Sequence, residues 1–369
     1  MSTLLFSPFK LRELALPNRI VVSPMAQYSA IDGRANEWHM VHLGTLAVSG
    51  AGLMILEATS VERDARLSPG DLGLWSEAHV DALRPIVAFC RKQGAARIGL
   101  QLQHAGRKGS VTVAWEGQKD IPLDAGGWTI TGADAVPYPG RPVPTALDMK
   151  GLARLRGSYA AAAERADRLG IDLLEIHVAH GYLLHSFLSP LSNQRTDSYG
   201  GSREARMKYV LEVFETVRAV WPEHKPIGVR ISATDWVEGG WSIDDSIEFA
   251  ARLKERGCDY VTASSGGSSP SQKIDVKPNY QVPFAERIRR EVGITVMAVG
   301  LITLPRQAED ILQAGQADLI AIGRGMLYNP RWPWHAAAEL GETAFYPPQY
   351  ERSHPSMRRG DFLKARRDA

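Results

Sequence analysis

Cysteine is scarce in this chain. Cys90 and Cys258, its two, stand far apart, which makes neither a disulfide framework nor the thiolate cluster of an iron–sulfur or zinc site. An excess of charge of one sign is also missing: 43 Lys and Arg against 41 Asp and Glu leave a formal charge of +2. That balance argues against nucleic acid and against an anionic membrane surface as partners. No run of about 18 apolar residues offers a bilayer span, and the N-terminus shows no basic segment followed by an apolar one. A cytoplasmic protein acting on small molecules is expected.

What the chain does contain is a repeated pattern. Eight short apolar segments, rich in Val, Ile and Leu, end near Met25, Ala58, Gln101, His177, Arg230, Ala263, Val299 and Ile322. Continuous runs such as Asp172-Leu-Leu-Glu-Ile-His suit parallel strands buried on both faces. Segments of helical period lie between them: Asp148 caps the run from Leu152 to Leu169, Asp244 and Asp245 open the run to Arg256, and Pro305 stands in the first turn of the run to Ala314. Gly170, Gly257 and Gly315 close such runs. Strand and helix in alternation predict an α/β fold, a (β/α)8 TIM barrel. At 369 residues the chain exceeds the roughly 250 of a bare barrel. Most of the surplus falls between Gln101 and Leu152, read as a long loop after strand 3 with some hairpin character. One domain is expected over residues 1–352, followed by a C-terminal extension at 353–369 whose polar, basic composition predicts disorder.

Chemistry gathers where the strands end. After strand 4 come His177, His180 and Tyr182: two imidazoles three residues apart that can both donate to one oxygen, with a phenol beside them as general acid. The same histidines could be core residues, and His177, His180 and His185 together could be read as metal ligands, although no carboxylate or thiolate completes that set. Strand 5 ends at Arg230, a guanidinium that needs an anion or a neighbouring barrel carboxylate. Gln101 on strand 3 has an amide that can both donate and accept, or can serve a turn. Gly300 after strand 7, and Gly323 with Arg324 after strand 8, place backbone N–H groups and a cation where barrels commonly take a phosphate; turn-forming glycine is the other reading. The Ala105-Gly-Arg-Lys108 run reads as a basic loop, either solvated or turned toward a nucleotide phosphate.

The stretch His177-x-x-His180-Gly-Tyr182-Leu, with Leu188-Ser-Pro-Leu-Ser-Asn-x-Arg-x-Asp-x-Tyr-Gly-Gly-Ser, resembles the old yellow enzyme family of FMN-dependent ene-reductases. It is most similar to the bacterial branch that includes the xenobiotic reductases and thermophilic-like members, and the similarity runs from Phe6 to Arg352. The resemblance implies non-covalent FMN, hydride from NADPH (or NADH), and α,β-unsaturated carbonyl substrates reduced from flavin N5 and protonated by Tyr182. It places Ser23, Pro24, Met25, Ala26 and Ala58 beside the flavin, Gln101 at its C4 carbonyl and N3 edge, Arg230 by N1 and the C2 carbonyl, and Gly300, Gly323 and Arg324 at its phosphate. Tyr28, with His177 and His180, faces the substrate. It also implies a homodimer or homotetramer in which Arg352 enters the neighbouring subunit's site; Arg352 could equally be a surface residue beside Glu351. Ala26 departs from the pattern, which usually has cysteine there. The iron–sulfur dienoyl-CoA reductase type is excluded by cysteine count. A redox-silent phosphate-binding barrel such as an isomerase, and a flavin-binding module without activity, stay open.

Overall fold

A computed structural model describes residues 3–353; the remainder of the expected disordered tail lies outside these residues. Eight parallel strands close into a barrel in chain order: β1 (Ile20–Val22), β2 (Leu53–Ser60), β3 (Arg97–Gln103), β4 (Leu173–Val178), β5 (Ile227–Ser232), β6 (Tyr260–Ser264), β7 (Thr295–Ala298) and β8 (Leu319–Ile322). Each observed strand end falls within three residues of the position read from sequence. The helices are α1 (Glu37–Ala47), α2 (Glu77–Gln93), α3 (Met149–Arg168), α4 (Leu183–Leu188), α5 (Arg203–Val220), α6 (Ile243–Glu255), α7 (Val282–Val292), α8 (Pro305–Gln313), α9 (Arg324–Tyr328) and α10 (Trp332–Leu340). Short α4 and α9 sit in the loops after β4 and β8, and the others are the outer ring.

Local chemistry sets these boundaries. The Asp148 carboxylate accepts from the Gly151 amide at 2.7 Å and so caps α3. At α6 the cap is Ser242 rather than the acidic pair: its hydroxyl accepts from the Asp245 amide at 3.2 Å, and the Asp245 carboxylate accepts from the Ser242 amide at 2.9 Å. Asp245 is therefore the returning half of a capping box. Gly170, Gly257 and Gly315 take φ of +84°, +83° and +67°, as helix-closing glycines do.

Period-2 alternation along each strand divides the core in two. Outward residues such as Val22, Met54, Leu56 and Ile320 pack against the helices. Inward residues, among them Val21, Leu53, Leu173, Tyr260, Met297 and Leu319, fill the barrel. Its lower end is stoppered by an antiparallel hairpin, Phe9–Leu11 with Leu14–Leu16, whose Leu11 and Leu16 join the interior cluster. The loop after β3 differs from expectation. Its two-stranded element, Thr131–Gly132 with Thr145–Ala146, is parallel, and the antiparallel contact there is a single bridge from Val111 to Asp120.

Candidate active site

Above the apolar interior, side chains on the inward face become polar: Gln101 on β3, Glu175 and His177 on β4, Arg230 on β5, Thr262 and Ser264 on β6. Register brings them level, with Gln101 opposite Glu175, His177 opposite Arg230 and Arg230 opposite Thr262. The strand ends and loops above enclose a cavity of about 330 Å³ lined by Ser23, Pro24, Met25, His180, Arg230, Gly300, Gly323 and Arg324, with Ser264 and Gln281 among the residues not expected from sequence. Its position at the C-terminal mouth is where barrel active sites form.

Arg230 is the central cation. Its Nη1 donates to Ser23 Oγ at 2.9 Å, while Nε is buried without a hydrogen-bond partner. No ion pair joins it to a barrel carboxylate among the described residues, so the salt-bridge reading is not realised. The carboxylate that acts on it electrostatically, Glu175, is held by the Gln101 amide at 2.7 Å and by the Thr262 hydroxyl. Burial raises the Glu175 carboxyl above its ordinary range, with Arg230 opposing; burial lowers the Arg230 guanidinium, with Glu175 opposing. A guanidinium placed this way has donor capacity to spare toward the cavity.

The loops after β7 and β8 form the opposite wall. Gly300 has φ +115°, and a Cβ there would meet Gln281 Nε2 at 2.8 Å, so only glycine admits the chain there. Arg324 is exposed and makes no hydrogen bond or ion pair among the described residues. Backbone, glycine and a free guanidinium suit a phosphate. The unpartnered Arg230 Nε fits the electron-rich edge of a flavin ring, which gains negative charge on reduction, and the loop cradle fits the phosphate of FMN.

The histidines face one another. Nε2 of His177 lies 3.3 Å from Nδ1 of His180, and the rings cross at 89° with centroids 5.1 Å apart. Burial holds both imidazoles well below their ordinary range; for His177 the next cause is Arg230, for His180 it is His177. Both are therefore neutral at pH 7. The Ala179 amide donates to His177 Nδ1 at 3.2 Å, which puts the proton of His177 on Nε2, toward His180.

Tyr182 begins α4, its ring centroid 5.0 Å from that of His177. It packs with Tyr28 against Leu67, Ala105 and Val111, and its hydroxyl makes no hydrogen bond among the described residues. Burial raises its phenol, as does proximity to Tyr28 and Asp71. His180 and Tyr28 have φ of +61° and +51°, backbone outliers of the kind that cluster at functional sites.

Other expected residues are placed differently. Gln101 is buried outside the cavity wall and gives one amide N–H to Glu175, which leaves its second N–H and its oxygen uncommitted. Ala26 and Ala58 are half-buried at the ends of β1 and β2, outside the cavity wall. The Gln27 amide donates to Glu57 Oε2 at 2.9 Å, which ties the segment after β1 to a register shift in β2 between Leu56 and Ala58. His185 does not converge with the other two histidines: its Nδ1 accepts from the Gly181 amide at 2.9 Å and its Nε2 lies 3.1 Å from Asp235 Oδ1. Arg352 is exposed on a 3-10 turn, Pro348–Ser353, with no ion pair to Glu351 among the described residues.

The basic loop needs correction. Arg107 is 2% exposed, with Nη2 donating to the Ser268 carbonyl at 2.8 Å. Lys108 donates to the carbonyls of His180 and Gly267 at 3.0 and 3.1 Å and lies 5.5 Å from the centroid of the Tyr182 ring. Neither forms an ion pair with a carboxylate among the described residues. Burial, then Arg141 and Arg107, lowers the Lys108 ammonium to about 8. These cations staple the loops after β3, β4 and β6 together instead of facing solvent. The sequence clue was there, two cations directly after an apolar strand, but their burial depends on carbonyls from distant segments.

Fold and site together define an FMN-dependent oxidoreductase built on a (β/α)8 barrel, of the old yellow enzyme type. Residues 4–342 match the NADH:flavin oxidoreductase / NADH oxidase family, and the chain belongs to that family. It is 45% identical over 355 residues to an NADPH dehydrogenase of Geobacillus sp. (strain WCH70), covering 95% of this chain and 99% of that one. It is 41% identical over 359 residues to an NADH:flavin oxidoreductase of Gibberella zeae, covering 92% and 86%. Among solved structures, morphinone reductase superposes with a TM-score of 0.77 at 27% identity, covering 94% of this chain and 92% of that one. The old yellow enzyme homologue from Zymomonas mobilis gives 0.77 at 25%, covering 95% and 99%. The family sets aside the redox-silent barrel and the inactive flavin module. No helix among the described residues is long and apolar enough to cross a membrane.

Proposed function

We propose that the protein is an ene-reductase that uses NADPH to reduce the C=C bond of α,β-unsaturated carbonyl compounds. One observation carries the reading: His177 Nε2 and His180 Nδ1 converge at 3.3 Å beside a neutral phenol whose hydroxyl is uncommitted. FMN, when bound, supplies the redox step, accepting hydride from the nicotinamide and passing it to the β-carbon.

The protein's part is to hold, polarise and protonate. His177 and His180 donate to the carbonyl oxygen and stabilise the negative charge that grows on it; one such donor is worth about 3–4 kcal/mol in the transition state. Tyr182 protonates the α-carbon, and its raised phenol keeps the proton in place until that carbanion forms. Arg230, oriented by Ser23, answers negative charge on the cofactor ring, and Arg324 with the glycine loops holds the phosphate. Tyr28 borders the substrate beside Tyr182. Residues 1–352 act as one domain in the cytoplasm, and Arg352 completes the site of a neighbouring subunit in a homodimer or homotetramer.

The test is anaerobic. Purified protein should show flavin absorbance, lose it on adding NADPH, and regain it on adding 2-cyclohexenone with formation of cyclohexanone. Flavin that bleaches but is not reoxidised by any enone would overturn the substrate class.

A further inference from the structure

The carbonyl-holding role given above to the histidine pair requires both rings to offer an N–H to the same oxygen, and the inference here rests on that reading. His177 meets the requirement, because its Nδ1 is taken by the Ala179 amide at 3.2 Å. His180 does not meet it by itself. As the rings stand, His180 Nδ1 faces the N–H of His177 at 3.3 Å and accepts from it. A neutral imidazole carries one N–H, so that of His180 sits on Nε2, where Ser264 Oγ lies at 2.8 Å and receives it. The Ser264 hydroxyl in turn points to Gln281 Oε1 at 3.4 Å. The chain His177, His180, Ser264, Gln281 is one run of hydrogen bonds in a single direction.

An oxygen held by both rings reverses part of that run. The proton of His180 must then be on Nδ1, which makes Nε2 an acceptor, and the hydroxyl that faces it at 2.8 Å is that of Ser264. A serine can make this change because it donates or accepts by rotating one bond. Gln281 permits it: its Oε1 already accepts from the Ser265 hydroxyl at 2.7 Å, so releasing the Ser264 proton leaves no acceptor unpaired. The exchange balances, one proton lost from Nε2 and one gained at Nδ1 through solvent, with no change in net charge. Ser264 is 4% exposed, so water competes poorly for Nε2, and the His180 backbone is fixed by its amide donating to Ser232 Oγ at 2.9 Å.

We propose that Ser264 is a positioning residue that sets the tautomer of His180, and so decides whether the bound oxygen meets two donors or one. The experiment uses FMN-loaded enzyme with 4-hydroxybenzaldehyde as the probe of the oxygen site, and compares Ser264→Ala, Ser264→Thr and His177→Ala. Wild-type enzyme in the probe complex should show His180 protonated on Nδ1 by ¹⁵N NMR. Ser264→Ala should shift that signal toward Nε2 protonation and raise the probe's Kd about tenfold, the scale of one hydrogen bond to a charged acceptor. Ser264→Thr keeps the hydroxyl and should restore both readouts. Unchanged Kd and unchanged tautomer in Ser264→Ala, or equal damage in the alanine and threonine variants, would overturn the proposal. Failure of the underlying reading looks different: His177→Ala would then leave the probe's affinity unaltered as well.

Discussion

Replacing Tyr182 by phenylalanine separates the two halves of the proposed reaction, and the structure fixes what each should do. The hydroxyl has no hydrogen-bond partner among the described residues, so its removal strands no donor or acceptor; the ring's packing on the cluster of Leu67, Ala105 and Val111 stays. Thermal stability and FMN content should therefore match wild type. Flavin reduction by NADPH needs no proton at carbon and should keep its rate. Reoxidation by an enone loses its general acid and should slow by about 10²–10⁴-fold, or about 3–5 kcal/mol of barrier at 1.36 kcal/mol per decade. The raised phenol adds a sign: Tyr182 stays protonated throughout the neutral and mildly alkaline range, so the wild-type oxidative step should show no alkaline decline from its ionisation. Anaerobic stopped-flow measurement of the half-reactions, paired with a melting curve, reads all of this. Equal slowing of both halves, or slowing of the reductive half alone, would refute Tyr182 as the proton donor. A lowered melting temperature would instead reveal a structural hydroxyl.

The other predictions rest on separate features. Arg324→Ala should weaken FMN retention, measured by titration of apoprotein, and unchanged affinity would remove the phosphate role. Ala26→Cys should shift the flavin potential at constant flavin content; an identical potential in a redox titration would place residue 26 out of contact with the ring. Lys108, lowered to about 8, is charged below that pH and neutral above it, so affinity for a phenol ionised throughout should fall as pH rises past about 8. Lys108→Met should abolish that alkaline limb, and its persistence in the variant would assign the ionisation to another group. Arg352→Ala should impair substrate or nicotinamide binding with FMN retained, and mixing it with Tyr182→Phe subunits should regenerate composite sites; a fully active monomer would refute this.

The barrel could be read from the chain because its signals are local. Asp148, Pro305, Gly170, Gly257 and Gly315 act within one turn of helix, and continuous Val, Ile and Leu runs say that a strand is covered on both faces. The His177-x-x-His180-Gly-Tyr182 spacing was legible for the same reason, since one strand end carries all three. What sequence reading missed depends on distant partners. The partner of Gln101, Glu175 one strand away, which takes one N–H of its amide, had no signal in the chain. Lys108 looked solvated because the carbonyls that bury it belong to the loops after β4 and β6. Ser264 had no signal: a serine in a Ser and Gly run gains meaning from His180 alone, 84 residues away.

Charge placement connects these pieces. Burying a cation without a counterion costs several kcal/mol, yet Arg230, Arg107 and Lys108 all lie around the site with no carboxylate ion pair among the described residues. Arg107 and Lys108 recover part of that cost through carbonyl bonds that fix the loops carrying His180 and Tyr182. Burial keeps the two imidazoles neutral, and the charges of Arg230 and Lys108 add to it in the same direction, leaving each ring able to donate one proton without holding a full charge of its own. The same field favours negative charge on an oxygen held between them, which is where the proposed reaction develops it. Buried cations thus help to position the loops, reinforce the neutral state that burial gives the histidines and would favour an anionic transition state there. Neutralising Arg230 should therefore lower turnover more than it lowers the melting temperature, and the opposite order would refute its electrostatic role.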